Sequence, residues 1–134
     1  MSAGHLNRGR AGEDAAVRFL EKSGYVVLER NWRCKAGEVD IICLHRETVV
    51  FVEVRTRAEP AMVSPAQSVN RAKVIRLFKA ASRFLSLRQW WEKPCRFDLI
   101  AVVDTGQGAR LEHITDAFEF PQAVGRCHAP WQPW

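Results

Sequence analysis

Between Arg10 and Lys22 the apolar residues Ala16, Val17, Phe19 and Leu20 recur at helical spacing, and the glycine of "SGY" at 23–25 suits a helix end. This predicts a first helix. "YVVLER", 25–30, is rich in β-branched and apolar residues and predicts a strand that runs into a polar corner at "NWRCKAG". "EVDIICL" and "VVFVEVR", separated by "HRET", predict a hairpin whose strands are apolar on both faces except at the charged positions. Such strands are expected at the centre of a covered sheet. Beyond a connection bearing proline and serine, "RAKVIRLFKAASRFLSL" carries an apolar stripe at 74, 77, 78, 81, 84 and 85. This second helix starts from Asn70 as N-cap, or earlier from Ser64 before Pro65. "RFDLIAVV", 96–103, and "RLEHI", joined through "TGQG", predict two further strands in a hairpin. The order αβββαββ is that of an α/β protein. A helical crossover makes strands three and four parallel, so the sheet is expected to be mixed, with about five strands flanked by helices.

A chain of 134 residues suits one domain. We place it at residues 1–118, because 119–134 has three prolines and no periodicity and reads as an irregular tail whose Trp131 and Trp134 dock on the surface. Cys34, Cys43, Cys95 and Cys127 form no C-x-x-C pair, so neither a zinc site nor a disulfide framework is favoured and the thiols read as those of a cytoplasmic protein. No stretch approaches about 18 uninterrupted apolar residues, which argues against membrane insertion. The net charge of +5 suits a polyanionic partner without requiring one. More telling is that Arg8, Arg10, Arg30, Arg33, Lys35, Arg55, Arg57, Arg71, Lys73, Arg76 and Lys79 lie in or near the elements that carry the unusual carboxylates.

Those carboxylates are Asp40 and Glu53, each inside a strongly strand-like run, and Glu13, on the inward stripe of the first helix. If the hairpin loop is His45 to Thr48, Leu44 pairs with Val49. Asp40 then faces Glu53, Glu38 faces Arg55, and all four side chains share one face. Opposed carboxylates repel unless something positive lies between them, and a divalent cation such as Mg²⁺, which prefers oxygen ligands, is a natural filler. Such an ion serves phosphodiester hydrolysis by neutralising charge developing on phosphorus and acidifying a bound water. The competing reading makes Glu38 and Arg55 a cross-strand ion pair, hydrogen-bonds Asp40 and Glu53 to amides, and leaves Glu13 complementing the helix dipole. His45, His113 and the Cys127–His128 pair are weak ligand candidates, Asp98 reads as a structural cap or pair, and Trp90 and Trp91 read as anchors at the end of the second helix.

The pattern "GxxGEDxAxxFLxxxGYxxLxRNxRxxxGEVDII" followed by "FVEVRTR" resembles the bacterial YraN family, from about Arg8 to Phe118. That family resembles Holliday-junction resolvases, so the resemblance implies the restriction-endonuclease-like fold and the PD-(D/E)XK signature. Asp40, Glu53 and Arg55 fall on the signature positions and Glu13 on an additional helix glutamate. The resemblance therefore implies Asp40, Glu53 and Glu13 as ligands of Mg²⁺ or Mn²⁺, DNA as partner, and a homodimer as one assembly to test. The chain departs from the pattern at Arg55, where a lysine is usual. An arginine cannot act as a base, although it can hold a phosphate. Lys73, near the start of the second helix, is a further candidate for handling phosphate charge. Two functions follow: a Mg²⁺-dependent DNA endonuclease, or an inactive nuclease-fold module that binds nucleic acid or a protein. A third, blander possibility is a cytoplasmic interaction protein whose carboxylates only fix the sheet.

Overall fold

The computed structural model describes residues 2–58 and 70–118, with side chains from residue 9 onward. Helix α1 (Ser2–Lys22) leads into strands β1 (Val26–Cys34), β2 (Gly37–His45) and β3 (Thr48–Ala58). Helix α2 (Arg71–Arg88) crosses to β4 (Cys95–Asp104), and β5 (Ala109–Ile114) turns back beside it. The strands form one mixed sheet in the order β1-β2-β3-β4-β5, antiparallel throughout except for the parallel β3–β4 pair. This αβββαββ arrangement agrees with the restriction-endonuclease-like fold that the sequence resemblance implies.

Each helix covers one face of the sheet. Ala16 and Leu20 of α1 pack with Ile41, Val50, Val52, Ile100 and Val102, while Leu77, Phe78, Phe84 and Leu85 of α2 pack with Ile42, Val49, Phe51, Phe97 and Leu99. The near-continuous apolar runs of β3 and β4 follow from this double cover. Gly24 closes α1 at a φ of 91°, and the Tyr25 amide donates back to the Leu20 carbonyl. Asn70 caps α2, its side chain accepting from the Lys73 amide at 2.8 Å. That decides between the two starts considered from sequence.

Three boundaries differ from expectation. Helix α1 begins at Ser2 rather than near Arg10, in a stretch where an apolar stripe gave no signal. Strand β1 continues through the expected polar corner, because Arg33 and Cys34 pair with Glu38 and Gly37. Helix α2 ends before the tryptophans: Gln89 adopts a left-handed φ of 58°, its amide donates to the last turn, and Trp90 folds back edge-on to Phe84. The expected tail at 119–134, with Trp131, Trp134, Cys127 and His128, lies outside the described residues.

Candidate functional site

The β2–β3 hairpin has the register expected from its loop, with Leu44 opposite Val49 and pairing that runs to Ile41 opposite Val52. There it stops. β3 continues beside β4 as far as Ala58 opposite Asp104, so the sheet splits at the next position, where Asp40 and Glu53 stand. The Asp40 carboxylate fills the split and accepts the Val54 amide at 2.8 Å. Glu53, 2% exposed, points to the α2 face like Val49 and Phe51, its alternating neighbours on β3.

Two cations reach Glu53. Lys73, in the first turn of α2, places Nζ 2.9 Å from Oε2, and Arg55 places Nε 3.4 Å from the same oxygen. These are ion contacts rather than directed hydrogen bonds, so the buried Oε2 and the Arg55 Nε each lack an aligned partner. Asp40 is less well compensated. Burial and the Glu53 charge push its carboxyl up to about 7, with a smaller push from Glu13, while the Val54 amide and the Lys73 charge oppose this. A group with that proton affinity is poised to exchange its proton for a cation near neutral pH.

The face assignment made from strand alternation is only partly right. Val39 and Ile41 should share a face, yet Val39 joins the core under α2 and Ile41 the core under α1. Alternation therefore breaks at Asp40. As a result Glu38 does not meet Arg55; it pairs across β1 with Arg33 at 3.0 Å, largely in solvent. Glu13 approaches from α1 and is held by Asn31, whose Nδ2 donates to Oε1 at 3.0 Å, with Arg30 at 4.0 Å. Arg30 bonds the neighbouring Asp14 at 2.7 Å.

Asp40, Glu53, Arg55 and Lys73 are thus together, whereas Glu13 comes from α1, on the face of the sheet opposite to Glu53 and Lys73. Among the described residues no three His, Cys, Asp or Glu side chains converge closely enough to hold an ion by themselves. The donor chemistry nonetheless fits a hard divalent cation: two carboxylates oppose each other, one carries an unaligned buried oxygen, and the other has a raised proton affinity. Mg²⁺ commonly takes one or two protein carboxylates and completes its shell with water and phosphate oxygens.

A second buried carboxylate, Asp98, lies on the opposite face of the sheet. It is fully served: Arg96 donates from Nε and Nη2 at 2.8 and 2.9 Å, the Asp116 amide at 3.0 Å, and His113 Nε2 lies 2.7 Å away. Burial alone would raise its carboxyl, but the bonds from His113, Arg96 and Asp116 hold it below the ordinary value. Sequence reasoning anticipated a structural role for Asp98 but not its partners, Arg96 two residues before it on β4 and His113 and Asp116 from β5 and the turn beyond it. Asn31 was missed as well. Its signal, an asparagine between Arg30 and Trp32 at the start of the expected polar corner, is weak.

The model of the uncharacterised protein family UPF0102 matches residues 12–102. This chain belongs to that family, the YraN family. Among UPF0102 relatives, the protein of Nitratidesulfovibrio vulgaris strain DP4 is 43% identical over 126 residues, covering 94% of each chain. That of Lawsonia intracellularis is 39% identical over 94% of this chain and 96% of its own. The UPF0102 protein of Stutzerimonas stutzeri is 46% identical over 83% of this chain and 93% of its own. The family match takes in Glu13, Asn31, Asp40, Glu53, Arg55 and Lys73.

Proposed function

We propose that this UPF0102 protein is a divalent-metal-dependent phosphodiesterase acting on nucleic acid, with DNA as substrate. The observation that carries this reading is the opposed pair of half-buried Asp40 and buried Glu53 at a sheet split, bordered by Lys73 and Arg55. Asp40 and Glu53 would hold Mg²⁺ or Mn²⁺, with Glu13 supporting from α1. The ion, when bound, supplies charge neutralisation at phosphorus and a more acidic water. Arg55 holds a non-bridging phosphate oxygen, and Lys73 stabilises the charge that grows as the ester bond breaks. Neither step needs Arg55 to lose a proton, which it cannot do.

The test is calorimetric titration of Mn²⁺ and Mg²⁺ into the protein, then incubation with branched and duplex DNA. Wild type should bind metal and cut DNA in a chelator-sensitive way, and Asp40→Ala and Glu53→Ala should abolish both. Metal-independent DNA binding without cleavage would instead support the second reading, a nuclease-fold module that only binds. The Lys73 ammonium already seated on Glu53 favours that alternative, because it occupies the oxygen that metal would need. Under the second reading, affinity falls steeply with salt and is indifferent to chelator.

A further inference from the structure

Asn31 adopts a left-handed φ of 52° inside strand β1, and no other described residue within a strand does so. Asparagine tolerates that conformation better than most residues, but a strand is an unusual place for it. Its position explains what happens across the ladder. The pairs Arg30–Ile41 and Trp32–Val39 flank it, so Asn31 stands opposite Asp40, and that position is absent from the regular pairing.

Both strands change face at this point. On β1, Arg30 reaches Asp14 of α1, whereas Trp32, two residues on, packs edge-on to Phe84 of α2 at 5.5 Å. On β2, Ile41 lies under α1 and Val39 under α2. A left-handed residue reverses the local pleat, so residues two apart emerge on opposite sides. Asp40, on the partner strand, is thereby released from the ladder and turned into the split, where it takes the Val54 amide. The side chain of Asn31 meanwhile fixes Glu13 through the 3.0 Å bond to Oε1. One residue thus bears on two of the three carboxylates.

We propose that Asn31 is a positioning residue for the carboxylate cluster, its left-handed backbone placing Asp40 and its amide tethering Glu13. The Asp40 part is independent of the proposed function; the Glu13 part rests on the metal-binding reading. Second-layer partners of metal ligands typically change affinity by about 10- to 100-fold when removed.

Two variants separate the parts. Asn31→Gly keeps access to the left-handed backbone and deletes the amide. Asn31→Val disfavours that backbone, because a β-branched residue resists positive φ. Amide hydrogen exchange on the metal-free protein reads the first part. In Asn31→Val the Val54 amide should exchange at least about 10-fold faster relative to that of Phe51, in the intact part of the ladder, and in Asn31→Gly it should keep the wild-type ratio. An unchanged ratio in Asn31→Val, or equal acceleration of both amides, overturns the proposal. Mn²⁺ titration reads the second part: Asn31→Gly should bind about 10- to 100-fold more weakly than wild type. Wild-type affinity in Asn31→Gly overturns the tether. If wild type binds no Mn²⁺, the metal reading and the tether fall together, while the exchange ratio still decides whether Asn31 places Asp40.

Discussion

A buried carboxylate that stabilises a fold should be surrounded by donors, and one kept for chemistry need not be. The half-buried Asp40 and the fully buried Asp98 show the two situations within one sheet. Asp98 has its bonds from Arg96, His113 and Asp116, and its proton affinity falls; Asp40 has one amide, faces Glu53, and its carboxyl rises to about 7. The linkage sign follows directly. Asp40 binds a proton more tightly in the folded protein than in the unfolded chain, whose value is near 3.8. Its contribution is therefore fully present below about pH 4 and is lost as pH rises from there to about 7. Asp40→Asn keeps an oxygen for the Val54 amide and removes the charge. In metal-free buffer at pH 8 it should stabilise the protein by about 1–3 kcal/mol, an advantage that vanishes near pH 4. Denaturant melts at the two pH values check this, and saturating Mn²⁺ should reverse the order at pH 8 by stabilising wild type alone.

At the scale of elements, the site depends on how closely the helices seat on the sheet, and two glycines set that approach. A Cβ at Gly37, the first residue of β2, would stand 2.6 Å from the Arg76 backbone oxygen of α2. A Cβ at Gly12, in α1, would meet the Thr56 hydroxyl of β3. The obstacle is backbone in the first case and a side chain in the second. Gly37→Ala should therefore cost about 1–3 kcal/mol in thermal or denaturant unfolding, with no rescuing change at position 76, whereas Gly12→Ala should be largely rescued by Thr56→Ala. The elements themselves were legible in the sequence from the α2 stripe and from the two apolar runs of β2 and β3, whose short hairpin loop led to the register that holds from Ile41 to His45. What was not legible is where the period breaks. Alternation put Glu38 beside Arg55, and one left-handed residue on the neighbouring strand makes that wrong. The lysine on Glu53 was half legible, since helical spacing set Lys73 near the start of α2 without saying which carboxylate it would meet.

Across the whole molecule, the two faces of the sheet do different work on nearly the same strand positions. Asp98 is in register with Val52, and Glu53 follows Val52 on β3 with its side chain on the other face. On the α1 face, Asp98 and Arg96 of β4 join His113 of β5 and the Asp116 amide beyond it, and Arg96 continues to the Tyr25 hydroxyl after α1 at 2.7 Å. This network closes the hairpin onto the body of the fold, so its loss should be global. Asp98→Asn leaves the partly buried Arg96 without a counter-charge, and breaking a buried pair in this way typically costs about 3–5 kcal/mol. With Arg96 about a quarter exposed, a cost somewhat below that range, about 2–3 kcal/mol, is expected in urea unfolding at pH 7. The deficit should shrink in acid, because the wild-type carboxylate sits below its unfolded value and loses its contribution once pH falls below about 4. Metal affinity under native conditions should not change, since no atom of this network touches Asp40 or Glu53. Asp40→Asn should behave in the opposite way, gaining stability and losing metal. If Asp98→Asn instead weakened Mn²⁺ binding while the protein stayed folded, the division between a structural face and a functional one would be wrong.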